Sequence, residues 1–79
     1  MDVNLIIKNI RAVLAENGNL SLYKLAQLMK GEPESNLPWL SRLMGGKIKT
    51  PRLEGLHSIA NALHVPIERI AGEGYEKEF

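Results

Sequence analysis

At 79 residues and 44% apolar content the chain is sized for one globular domain with a single modest core. No apolar run approaches the ~18 residues needed to span a bilayer. MDVNLIIKNIR does not open like a secretory signal, and the lack of cysteine excludes disulfides and Cys-ligated zinc. The simplest reading is therefore a cytoplasmic protein. Its net charge is only +1, yet residues 35–52 hold Arg42, Lys47, Lys49 and Arg52 with no acid. That segment is +4, which leaves −3 for the rest of the chain. Such a segment is either a solvated face or the contact surface for an anionic partner.

Five helices are predicted. The first spans about Val3 to Glu16, because Ile6, Ile10, Val13 and Leu14 follow the spacing of one buried stripe. Asn17-Gly18-Asn19 ends it, with Gly18 suited to a left-handed cap. Ser21 is the expected N-cap of a second helix, about Leu22 to Met29, with Leu22, Leu25, Ala26 and Met29 forming its apolar face. Lys30 to Glu34 reads as a polar loop. Ser35 or Asn36 then caps a third helix with Pro38 in its first turn, Leu40, Leu43 and Met44 inward, and Gly45-Gly46 at its end.

Lys47 to Pro51 is a basic connection without apolar periodicity. Thr50 is the expected cap of a fourth helix, with Pro51 at its first position and Leu53, Leu56, Ile59, Ala60 and Leu63 along its core face. His64 is expected in a left-handed cap. Pro66 opens a fifth helix carrying Ile67 and Ile70. Residues 73–79 are an acidic tail, expected to fray, or the start of a linker. No segment alternates as a strand.

The second and third helices with their link read as a helix-turn-helix. A groove-reading helix needs an inner face that holds it rigidly and an outer face with few acids. The chain must then bring cations to the phosphates. NLPWLSRLMGGKIKTPR, residues 36–52, meets those demands.

Three segments resemble the DNA-binding domain of Cro/CI-type repressors, the XRE-like helix-turn-helix family: LYKLAQLM at 22–29, LSRLMGGKIKTPR at 40–52 and LHSIANALHVPIERIAG at 56–72. The run from Gly46 to Arg52 is similar to the segment that grips the DNA backbone in lambdoid phage repressors. The resemblance implies an all-α, five-helix, lambda-repressor-like domain over residues 1–72. It implies sequence-specific double-stranded DNA binding and a role as a transcriptional repressor or regulator, with a homodimer on a palindromic operator. It implies base readout by Leu37, Pro38, Ser41 and Arg42. Ser21, Leu22, Asn36, Trp39, Lys47, Lys49, Thr50 and Arg52 match backbone-contacting positions. Val65, Ile67 and Ile70 are candidates for a dimer interface, or close the core.

Two features depart from the family pattern. Ala26 to Leu40 is four residues longer than usual, with GEPES in place of a tight turn. Leu22 stands where relatives carry a polar side chain. Trp39 either contacts DNA or packs beneath the GEPES loop. The apolar Leu37-Pro38-Trp39 edge motivates an alternative, a protein-interaction module of antitoxin-like or polymerase-binding type.

No enzyme, cofactor, metal, membrane or small-molecule substrate is expected. His57 and His64 are seven residues apart on one helix, about 10.5 Å along its axis, too far to share an ion. No nucleophile, base and orienting group can be assembled from neighbouring features.

Overall fold

A computed structural model describes residues 2–72, which form five α-helices: α1 Val3–Glu16, α2 Leu22–Leu28, α3 Pro33–Met44, α4 Leu53–Leu63 and α5 Ile67–Ala71. No strand occurs among the described residues. The acidic tail at 73–79 lies outside them. No helix of the described residues is long and apolar enough to cross a membrane.

Local chemistry sets most of the helix ends. The Asp2 carboxylate accepts from the backbone N–H groups of Asn4 at 3.0 Å and Leu5 at 3.3 Å, an N-cap of α1. The Ser21 hydroxyl oxygen accepts from the Lys24 N–H at 3.1 Å and caps α2 as expected. His64 adopts φ 57°, the left-handed cap predicted for it. Ile6, Ile10, Val13, Leu25, Leu40, Leu43, Leu56, Ile59 and Ile70 are fully buried and form one core shared by all five helices. Two polar contacts fix α5 on α1: the Asn9 side-chain amide donates to the Ile70 carbonyl at 3.1 Å, and Arg69 pairs with Glu16 at 2.8 Å.

Three boundaries differ from the sequence reading. Helix α2 stops at Leu28, because Met29 turns extended (ψ 157°) while its side chain stays buried. The link to α3 is therefore only Met29–Glu32, with Gly31 at φ +100° making the reversal. Helix α3 starts at Pro33 rather than near Asn36. GEPES is thus no loop, because its last three residues form the first turn of α3. Pro33 takes the first helical position, where its missing N–H has no partner to lose. Pro38 consequently lies inside the helix and has no N–H to offer the Glu34 carbonyl. Both residues are exposed, so water can replace that bond.

Asn36 is not a cap. Its side-chain amide donates to the Ala26 carbonyl at 3.0 Å and the Lys30 carbonyl at 3.3 Å. It thereby closes the turn from the α3 side, and the Lys30 N–H donates to the Ser58 hydroxyl of α4 at 3.1 Å. Finally, α4 begins at Leu53 with Arg52 as its N-cap, so Thr50 caps nothing. Pro51 is fully buried ahead of the helix, and the core takes the ring that the sequence reading placed at the first helical position.

Candidate nucleic-acid interface

Helix α3 has two distinct sides. Leu40 and Leu43 are buried, and Leu37, Trp39 and Met44 are half-buried against the core. Glu34, Ser35, Pro38, Ser41, Arg42 and Gly45 are exposed. At about 100° per residue these six lie within roughly 60° of Pro38, so they form one continuous outer stripe. It is held from behind by the core and from its N-terminal end by Asn36.

The exit from α3 is built by backbone bonds. The Gly46 N–H donates to the Leu43 carbonyl at 3.0 Å, and the Lys47 N–H reaches the Arg42 carbonyl at 2.9 Å. With Gly46 at φ +74°, this is a Schellman ending. The motif brings the residue after the left-handed position beside a residue of the last turn, commonly as an apolar contact. Helix α4 ends in the same way: the Val65 N–H bonds the Ala60 carbonyl at 3.0 Å, and both residues are apolar. On α3 the corresponding residues are two exposed cations, Arg42 and Lys47. Like charges at this spacing repel. The partial negative charge of the helix end offsets part of that cost, and a bound anion would offset more.

Beyond the turn the chain mixes buried and exposed residues. Ile48 packs against the core and Pro51 is buried, whereas Lys47, Lys49, Thr50 and Arg52 are exposed. The segment has an apolar pattern after all. It is an i, i+3 pair of anchors, too short for periodicity to show. The anchors leave the cations beside them exposed.

Arg52 is further restrained. Its guanidinium carbon lies 5.4 Å from the centroid of the Trp39 ring, within cation–π range. Its Nη1 is 3.6 Å from a Glu54 carboxylate oxygen, an exposed pair that orients more than it stabilises. The six-membered edge of the Trp39 ring rests on Gly55, where a Cβ would lie 2.6 Å from the ring atom Cη2. Trp39 therefore packs on the start of α4. It neither lies beneath a GEPES loop nor stands free.

The expected site residues divide accordingly. Pro38, Ser41, Arg42, Lys47, Lys49, Thr50 and Arg52 are each exposed. Ser21 is exposed, with its hydroxyl capping α2. Leu22 and Leu37 are half-buried, each packed in part against the core. The Asn36 amide hydrogens are taken by two carbonyls. Val65 and Ile67 are half-buried, but Ile70 has no exposed surface and belongs to the core, so it is removed from the interface set.

Sequence reasoning missed Glu34 and Ser35 on the outer stripe, because it began α3 too late. It also missed Gly55, whose role depends on a contact that no local pattern reveals. Tyr23 was overlooked as well. It is 58% exposed in the first turn of α2 and offers a phenol hydroxyl beside the apolar Leu22. No protein-family model, curated protein or solved structure matches this chain.

Proposed function

We propose that the chain is a sequence-specific double-stranded DNA-binding domain of lambda-repressor-like type, acting in transcription regulation. In this reading α2, the four-residue turn and α3 are a helix-turn-helix, and the outer stripe of α3 enters the major groove. One observation carries the proposal: an exposed helix face runs through a Schellman turn into Lys47, Lys49 and Arg52, with Ile48 and Pro51 anchoring the run from below. Rigid backing, a groove-sized helix and a cationic exit are what base reading with phosphate gripping requires.

Arg42 is the principal base reader, since a guanidinium can bond guanine O6 and N7 together. Ser41 and Pro38 contact neighbouring base edges, Pro38 through apolar contact. Lys47, Lys49 and Arg52 take phosphates, with Thr50, Tyr23 and the N-terminus of α2 at the flanks. One such helix covers few base pairs, so two copies act on a palindromic operator with half-sites about one helical turn apart. Val65 and Ile67 remain candidates for the contact between them.

The test is selection from random duplex DNA at two salt concentrations, followed by anisotropy titration of the winner. Enrichment of a palindrome, with affinity falling as salt rises, supports the reading. Failure to enrich any sequence refutes it.

A second reading draws on an open groove of about 950 Å³ between the α2–α3 turn and α4, lined by Leu28, Trp39, Arg52, His57 and Ser58 among others. Leu28 is 48% exposed there. A protein partner could seat in it, and salt-insensitive binding that requires Leu28 but not Lys47 would favour that function.

A further inference from the structure

The extra first turn of α3 puts an acid on the stripe proposed to face DNA. Glu34 is exposed, lies one helical turn before Pro38, and forms no ion pair or side-chain hydrogen bond with any described residue. It is the sole carboxylate among the six residues of that stripe. An acid near the first turn suits the helix dipole, but that benefit requires no place on the outer stripe. Pointed into a groove walled by phosphates, a carboxylate weakens binding to every sequence alike unless it meets a hydrogen-bond donor.

We propose that Glu34 is a specificity-determining residue that reads cytosine, its carboxylate accepting from the exocyclic N4 amino group in the major groove. This rests on the DNA-binding reading above. An ionised carboxylate only accepts hydrogen bonds. The major groove presents two base donors, the N6 amino group of adenine and the N4 amino group of cytosine. Adenine sets the N7 acceptor beside its amino group, which repels a carboxylate. Cytosine has no such neighbour, so it is the better partner. Glu34 and Arg42 are eight residues apart, about 12 Å along the helix. At about 3.4 Å per base pair that spans three to four steps. The helix therefore reads a C·G pair at one end and, through Arg42, a G·C pair at the other. Glu34 contributes discrimination at the expense of overall affinity.

The experiment is duplex selection with the wild type, Glu34→Gln, Glu34→Ala and Arg42→Ala, with thermal unfolding of each to verify folding. The wild type is expected to select cytosine at a position three to four pairs from the one that Arg42→Ala relaxes. Glu34→Gln keeps the side-chain size but adds a donor, and should shift that position toward adenine, whose N6 and N7 suit an amide. Glu34→Ala should make it degenerate, losing about five- to thirty-fold discrimination, while binding non-cognate DNA more tightly. If both Glu34 variants fold and select the wild-type sequence unchanged, Glu34 only supports the helix end and the proposal fails, with DNA binding intact. If the wild type selects nothing, both readings fall together.

Discussion

Replacing Gly55 by alanine tests whether Trp39 truly links α3 to α4. A Cβ at position 55 would lie 2.6 Å from Cη2, 2.8 Å from Cζ2 and 3.4 Å from Cζ3 of the ring. An indole cannot bend, so the whole ring must move by about 1 Å to reach ordinary contact. Arg52 also packs on the ring, 5.4 Å from its centroid. Overpacking of this kind costs about 1–3 kcal/mol. Against it stands the helix preference of alanine over glycine, about 1 kcal/mol. The expected balance is a destabilisation of roughly 0–2 kcal/mol, or a fall in Tm of up to about 16 °C for a domain of this size. Circular dichroism melts measure it, and the fluorescence of Trp39, the chain's only tryptophan, reports the ring's displacement directly. The decisive control is Trp39→Ala, in which the same Gly55→Ala change should become stabilising by up to about 1 kcal/mol. If Gly55→Ala stabilises the protein with Trp39 present, the contact does not constrain the fold.

The remaining predictions concern the turn, the cap and the basic surface. Asn36→Asp replaces two donated hydrogen bonds with an acceptor facing the Ala26 and Lys30 carbonyls. It should cost about 2–3 kcal/mol in denaturant melts, more than Asn36→Ala. Ser21→Ala removes the α2 cap for about 1 kcal/mol, and Ser21→Asp should restore most of it in the same assay. Lys47→Ala and Lys49→Ala should each lower affinity for all sequences and reduce the log–log salt slope by about 0.9, as followed by anisotropy. Arg42→Ala should instead relax one base pair, costing about 1–3 kcal/mol of discrimination in competition titrations.

The sequence was most legible where one local interaction decides the geometry. The α1 stripe, the Ser21 cap and the left-handed His64 each follow from residue type and spacing. The start of α3 was not so decided, because Pro33 and Pro38 both suit a first helical position. The sequence reading placed Pro33 in the loop and Pro38 in the first turn. The chain uses the earlier, since Pro38 falls on the solvent side and Asn36 holds the preceding turn from within. The Thr50-Pro51 signal misled for another reason: burying the proline ring in the core outweighed its value as a helix opener. The cationic run was visible in the sequence, but its support was not. Ile48 and Pro51 anchor it only because the core lies behind them. Gly55 could not have been found, since what marks it is the edge of a side chain sixteen positions earlier.

Pro38 gives α3 a mechanical character that its regular outline conceals. The hydrogen-bond ladder lacks one rung on the outer side, just past the first turn. Beyond that gap the helix is a stiff stem, clamped by Leu40 and Leu43. Before it lies the first turn, held by the Asn36 side chain and by Leu37 packed against the core. Small tilts of that turn can be absorbed at the missing rung without loosening the stem. The helix thereby combines a fixed register with an adjustable leading edge.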